Sequence, residues 1–270
     1  MKQVFASKKN TNSDNTGVSG LMLTCTILAL LLAGCASEIG TKAGKKVLVY
    51  TKNGEGFVHK NIPASIECIQ SICRQNGWIC QASDDPSIFT TEKIAAFDVL
   101  VFSNTNNETF DTDEQREVFQ KYIQNGGGFA AIHSACASER DWPWYWANVG
   151  CKFVFHPPFQ KFDVKVVDKD HPSTEFLPDI WKCEDECYMF DHFSLKMNVL
   201  LAADLRTIKF KEGKPHPGKT FGDYVPVCWH QEFDGGRQWY TALGHAPEHY
   251  KDPTFIKHLE GGIRWAMEKK

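Results

Sequence analysis

The sequence predicts an α/β fold organised on a doubly wound parallel sheet, with inserted β and loop segments in its second half. Three short runs, VLVY from Val47, VLVF from Val99 and FAAI from Phe129, contain no polar residue. A strand covered by helices on both faces reads this way, whereas a strand wet on one face alternates. Between these runs stand helix-length segments with one apolar face. Strand–helix alternation of this kind is the pattern of a doubly wound sheet.

The first strand spans Val47 to Tyr50, and the polar loop NGEGFVHKN follows. In IPASIECIQSICRQNG, Pro63 suits a first helical turn, and Ile62, Ile66, Ile69 and Cys73 recur at helical spacing, with Gly77 as the stop. Trp78, Ile79 and Cys80 begin a second strand. A short helix capped near Thr90 or Thr91 precedes the third strand, which starts at Asp98. The clearest helix lies in TFDTDEQREVFQKYIQNGG. There Thr112 is placed as N-cap, with Gln115 three residues on as in a capping box. Val118, Phe119, Tyr122 and Ile123 form its apolar face, Gly126 to Gly128 end it, and FAAIHS is the fourth strand. The second half is aromatic and proline-rich. A short helix from Trp142 to Val149 is expected, then β structure with Phe162, Val164 and Val166 alternating. Further strands are expected at Asn198–Ala202, Val225–Trp229 and Gln238–Leu243. Asp252 caps a closing helix bearing Phe255, Leu259, Ile263 and Met267. These elements read as one sheet with long insertions, hence one domain.

Ahead of the fold, LMLTCTILALLLAGC runs from Leu21 to Cys35, preceded by Lys2, Lys8 and Lys9. It is shorter than the about 20 apolar residues of a mature spanning helix and fits the apolar core of a secretory signal. Its ending, LAGC, resembles the bacterial lipoprotein processing box. That implies a signal peptide over residues 1–35, lipidation at Cys35, a tether over 36–45 and the folded domain over 46–270. The expected location is the bacterial cell envelope, at the outer membrane facing the periplasm or outside, with membrane contact through the lipid anchor only. An ordinary signal peptide or a plain anchor helix is the alternative. The net charge is −3. No stretch combines clustered Lys/Arg with stacking aromatics, so no nucleic-acid partner is expected. Ten cysteines without a CxxC pair argue against a cysteine zinc site, while export permits disulfides whose pairing cannot be read from spacing. The GEG loop lacks the GxGxxG pattern of a dinucleotide site.

In open parallel sheets, ligands bind beyond the carboxyl ends of the strands. Asn53, Glu55 and His59 follow the first strand, Asn104, Asn106 and Asn107 the third, and His133 and Ser134 the fourth. His156 lies in VFHPP, His230 ends another strand, and His245 follows TALG. Together they read as one cluster at one sheet edge; singly, each reads as a loop, packing or backbone-bonded core histidine. His171, His216, His249 and His258 read as surface residues. KCEDECYMFDH brings Glu184, Asp185, Glu186 and Asp191 together. It is either a solvated charge run or, because apolar residues interrupt it, a source of one inward carboxylate. Imidazole with carboxylate suits general acid–base work or a divalent metal such as Zn, Mn, Ni or Fe, although no HExxH is present.

Taken together, KVLVYTKNGEGFVH, VFSNTNNETF, GGGFAAIHSA, FVFHPP, DECY and VPVCWHQEFDGGRQWYTALGH resemble the ThuA-like (trehalose utilisation) family of the class I glutamine amidotransferase-like superfamily. The resemblance runs from Lys46 to about His245, and the closing helix fits it. It implies a three-layer, flavodoxin-like parallel sheet with inserted β/loop segments. It sets His133 at or next to the strand-to-helix elbow where the amidotransferases carry a nucleophilic cysteine. Imidazole is a poor substitute for thiolate there, and Cys136 lies three residues on, so glutamine amidotransferase activity is not expected. The motif positions carried over are His59, His133, His156, Glu186, Tyr188, Trp229 and His245.

The same resemblance implies carbohydrate catabolism, with a disaccharide or 3-keto-sugar derivative as small-molecule ligand. It also implies sugar oxidoreductases or a hydrolase-like domain as partners. An enzyme is favoured. His133, His59 and Glu186 would be its acid–base residues, or His133, His156, His245 and Glu186 would bind a divalent metal. Asn104, Asn106, Trp142, Tyr188 and Trp229 would contact sugar, the WPWYW rings by stacking, unless that cluster is a lid core. Acidic hydrogens beside a keto group would suit isomerisation, epimerisation or elimination. The alternative is a non-catalytic carbohydrate-binding or complex-forming lipoprotein.

Overall fold

The apolar runs become β1 (Lys46–Tyr50), β3 (Val99–Ser103) and β4 (Gly128–Ile132), nearly all of whose residues are buried. The computed structural model describes residues 44–211 and 222–268; Cys35 with its apolar run, and His216, lie outside these. With β2 (Ile79–Ser83) and β11 (Gly236–Thr241) the three strands make the parallel half of a nine-stranded sheet, ordered β2-β1-β3-β4-β11.

Beyond β11 the sheet continues antiparallel through β10 (Tyr224–Phe233), β9 (Asn198–Asp204), β6 (Gln160–Val166) and β7 (Ile180–Asp185). The expected α/β fold, a parallel sheet with inserted β segments, is thus present as one mixed sheet in which the later strands extend the parallel half. One local cause is the Asp234–Gly235 turn joining β10 to β11, where both residues have positive φ (48° and 98°). A two-residue turn of this kind joins antiparallel neighbours only. A separate antiparallel pair is formed by β5 (Lys152–Phe155) and β8 (Met189–Asp191).

Helices cover both faces. α1 (Ile62–Gln75) and α5 (Pro253–Met267) pack together on one, and α3 (Asp113–Gln124) and α4 (Pro143–Val149) lie on the other. α3 begins as expected, with Thr112 accepting from the Gln115 N–H, but the Gln115 side chain reaches back to the Asp111 N–H. The short α2 (Thr91–Ile94) is capped by Thr90, and Asp252 accepts two N–H bonds at the start of α5. On the α3 face Phe102, Phe119, Phe129 and Tyr145 pack ring on ring, each burial contributing about 1.5–3 kcal/mol. On the α5 face the helix approaches so closely that a Cβ at Gly262 would lie 2.2 Å from the Trp239 ring.

Two histidines expected at the surface belong to this face instead. His258 is fully buried, with Nδ1 donating to the Ser173 carbonyl and Nε2 beside Thr241 Oγ1. His171 is also buried and stacks at 5.1 Å on His230. Their environment is aromatic and close-packed, which a lone histidine in a polar stretch does not reveal. Among the described residues all eight cysteines are free thiols, and no helix is long and apolar enough to cross a membrane.

Register places the functional edge. Tyr50 pairs with Phe102, Ser103 with Ile132, and Thr241 with Ile132. Four neighbouring parallel strands therefore end level, and the residues after them emerge side by side.

Candidate metal centre

β4 stops at Ile132, two residues before the end of the FAAIHS run read as a strand, and His133 takes φ +52°. Left-handed backbone at a bulky residue is uncommon and costly. Here it turns the chain from β4 directly into the tight turn His133–Ala137, whose small neighbours are buried. His133 therefore stands on the bend itself. Its Nδ1 lies 2.7 Å from the Ala242 carbonyl, which can only accept, so Nδ1 carries the proton. Nε2 is left with its lone pair, 2.8 Å from the Tyr188 hydroxyl and 3.3 Å from His245 Nδ1. Complete burial holds the His133 pKa well below the ordinary histidine value, so the ring is neutral near pH 7.

Three further groups converge on that nitrogen. His59, from the loop after β1, has its Nδ1 3.2 Å from Ser134 Oγ and its ring 4.8 Å from that of His133. Burial, reinforced by His245, lowers its pKa to about 4. Glu186, just past β7, puts Oε2 3.1 Å from His245 Nδ1 and 3.7 Å from His133 Nε2. The hydrogen bond to Glu186 raises the pKa of His245. One ligand atom from each of His59, His133, Glu186 and His245 lies within 4.8 Å of all the others. Three imidazoles and a carboxylate are a donor set suited to Zn, Mn, Ni or Fe(II). The bond from His133 Nδ1–H to a backbone carbonyl is the outer contact by which metal-binding histidines fix their tautomer. These four residues are a candidate divalent-metal cluster.

Behind the quartet lies a group that the sequence did not single out. Asp185, 1 % exposed, accepts from the backbone N–H groups of Gly244 (2.7 Å), His245 (3.2 Å) and Glu186 (2.8 Å). It also lies 3.4 Å from His249 Nδ1, so His249 supports the site and is not a free surface residue. Asn61 donates to the Gly244 carbonyl and to Asn104, and Asn104 donates to Tyr250. The loop carrying His245 is thus pinned on both sides. The inward carboxylate in KCEDECY was the available signal for Asp185, but the acidic run did not say which acid it was.

The other expected site residues fall as follows. His156 reaches Glu186 Oε1 (3.5 Å), yet its Nδ1 also faces the Pro157 carbonyl, and it stays outside the quartet; His59 stands in its place. Tyr188 is at the centre. Asn104, expected to contact sugar, is fully buried and bonded to Asn61, Ser103 and Tyr250. Trp229, also expected to contact sugar, is fully buried between Phe190 and Tyr240, with its N–H donating to the Val149 carbonyl. Trp142 packs on Phe110, Phe119, Trp144 and Tyr145, the lid-core alternative. Asn106 is spent on the Phe57 carbonyl, the Asn107 N–H and Arg140. Cys136 is buried within the same turn, its sulfur between the Tyr240 hydroxyl (3.0 Å) and the His133 carbonyl (3.5 Å).

Comparison with known proteins agrees with this architecture. A ThuA-like protein of Bacteroides uniformis superposes with a TM-score of 0.68 at 24% identity, over 83% of this chain and 92% of that one. A second, from Parabacteroides merdae, gives 0.63 at 18% identity over 83% and 90%. A cytoplasmic protein of Salmonella typhimurium gives 0.57 at 12% identity over 83% and 100%. These likenesses establish the fold. No curated protein matches the chain. Residues 46–266 match the ThuA family, described as trehalose utilisation, and span all eleven strands and nearly all of α5. With that match, the chain belongs to the ThuA family.

Proposed function

We propose that this ThuA-family protein is a metal-assisted enzyme of carbohydrate catabolism acting on a disaccharide or its 3-keto derivative. We further propose that it is exported and held at the cell envelope by a lipid on Cys35. The observation that carries the enzymatic reading is the quartet: four ligand atoms within 4.8 Å at the level ends of parallel strands. Two of its imidazoles are kept neutral by burial and so are ready to donate lone pairs. The export reading rests on the LAGC ending alone. Partnership with sugar oxidoreductases or hydrolases is proposed from family association.

His59, His133, Glu186 and His245 would hold the ion. When bound, the ion would supply Lewis-acid polarisation of a carbonyl or hydroxyl oxygen of the sugar. The remaining groups have protein roles. Burial keeps the Tyr188 hydroxyl protonated, so it is a hydrogen-bond donor at the centre. His156, partly exposed and 3.5 Å from Glu186, is placed to exchange a proton between the site and solvent.

The test is elemental analysis of the purified protein followed by assay on 3-keto-trehalose. Wild type is expected to hold about one equivalent of a divalent metal. His133→Ala is expected to lose both metal and turnover while its far-ultraviolet circular dichroism is unchanged. A wild-type protein that takes up none of Zn, Mn, Ni or Fe, or a His133→Ala variant with normal turnover, would overturn the reading. Sugar binding without turnover would support the non-catalytic binder instead.

A further inference from the structure

Two phenyl rings next to the quartet are left in solvent by a backbone built to keep them there. Phe57 is 62% exposed and lies edge-on to His59, centroids 4.8 Å apart. Phe159 is 42% exposed, 5.8 Å from His245 and nearly parallel to His249 at 6.3 Å. Exposed apolar area costs about 25 cal/mol per Å² relative to burial, so such rings beside a site call for an occupant.

Neither ring sits on a slack loop. The Phe57 carbonyl accepts from Asn106 Nδ2 (3.0 Å), the Glu55 carbonyl from Asn107 Nδ2 (2.7 Å), and the Gly54 N–H donates to the Asn106 carbonyl (2.9 Å). Arg140 in turn donates to both asparagine side chains. Gly56, at φ +124°, supplies a turn that an L side chain would resist. On the other loop Phe159 follows Pro157 and Pro158, whose φ is fixed. It precedes Gln160, which exchanges bonds with both the N–H and the carbonyl of Lys209 and also donates to Pro158. Asn106, expected to contact sugar, helps with Asn107 to build the platform that presents Phe57.

We infer that Phe57 and Phe159 are the specificity-determining walls of the site, each taking the apolar C–H face of one pyranose ring while the hydroxyl rim meets the polar centre. This rests on the carbohydrate reading proposed above. Two walls, one against each of two quartet histidines, favour a two-ring substrate over a single sugar. Such stacking is sequence-independent of the reaction itself, so the walls set which sugar binds and the quartet sets what happens to it.

Calorimetric titration of the full-length protein with trehalose, 3-keto-trehalose and glucose tests this. Wild type is expected to bind at least one of the two disaccharides more tightly than glucose. Phe57→Ala and Phe159→Ala are each expected to weaken that disaccharide about five- to tenfold, with metal content and melting temperature unchanged. Phe57→Trp and Phe159→Trp should stay within about twofold of wild type, because an indole stacks as well as a phenyl. Wild-type binding to none of the three sugars would overturn the carbohydrate reading and this inference with it. Wild-type binding that both alanine variants reproduce, or equal affinity for glucose and the disaccharides, would overturn this inference alone.

Discussion

Asp185 is the point at which the site is joined to the fold, and removing its carboxylate should cost both stability and metal. The side chain is 1 % exposed and receives three backbone N–H bonds, from Gly244, His245 and Glu186. In Asp185→Ala those donors lose their acceptor. A buried donor left unmatched costs about 1–3 kcal/mol. The His245 N–H is only part-buried and can recruit water, so the three together should cost about 3–5 kcal/mol. The desolvation of the carboxylate, recovered on its removal, keeps the total from the upper end. Asp185→Asn retains one acceptor oxygen and the shape, and should cost about 1–3 kcal/mol. Both variants free the backbone of two quartet residues, so metal affinity should fall about 10–100-fold, as when an outer partner of a ligand is removed. Urea unfolding with unchanged m-value, and zinc competition against a chromogenic chelator, measure the two effects. An Asp185→Ala protein within about 1 kcal/mol of wild type and with the same zinc affinity would refute the anchoring role.

Two further outcomes follow from residues away from the quartet. Burial lowers the pKa of His171 to about 3 and of His258 to about 4, so in the fold both stay neutral where the unfolded chain is charged. Their stabilising effect is complete above the unfolded value near 6.5 and is lost as pH falls through 6.5 toward the folded values. Between pH 7 and 5.5 the unfolding free energy should drop by ~2–3 kcal/mol from this pair, and His258→Gln should remove about half of that slope; a pH-independent stability there would contradict the burial account. Trp229→Phe deletes the N–H bond to the Val149 carbonyl and part of a filled core, which should cost ~2–3 kcal/mol in urea unfolding. Disaccharide affinity should not change; a large loss of sugar binding without loss of stability would return Trp229 to the sugar-contacting residues.

The parallel half of the fold was legible because β1, β3 and β4 are apolar on both faces and α2, α3 and α5 carry their own caps. Thr112, Thr90 and Asp252 all cap where local chemistry places them. The antiparallel half was less so. Periodicity locates a strand but does not give its direction; the glycine-rich GGRQWY turn, readable as a hairpin, was the local signal for the antiparallel β10–β11 pair. At the site, residue type and strand-end position drew attention to His59, His133 and His245, whereas Glu186 was set apart from its acidic neighbours only by the resemblance to the ThuA-like family. The division of labour among them was not readable. Whether His156 or His59 completes a quartet depends on a few ångströms of loop path. Asn104 and Trp229 have the chemistry of sugar contacts and the burial of core residues, and burial is set by tertiary packing. Polar residues at strand ends can touch a ligand or hold the loops that do; here Asn104, Asn106 and Asn107 do the second.

The bend at His133 is a device for presenting one side chain at the level where the parallel strands end. A left-handed residue stores about 1–3 kcal/mol of strain and persists only where its surroundings over-determine it. His133 is held in that way. Its carbonyl accepts the Tyr240 hydroxyl (3.0 Å), its Nδ1 is tied to Ala242, and its Nε2 meets Tyr188. The bend serves to thrust one side chain into the level where four parallel strands end, and that service does not depend on which side chain it is. A neutral imidazole, with its tautomer fixed so that the free nitrogen faces two other histidines and a carboxylate, is poor at attack and well suited to ligation. The strained backbone fixes the position of one donor, and the loops that carry His59, Glu186 and His245 bring the other three to the same point.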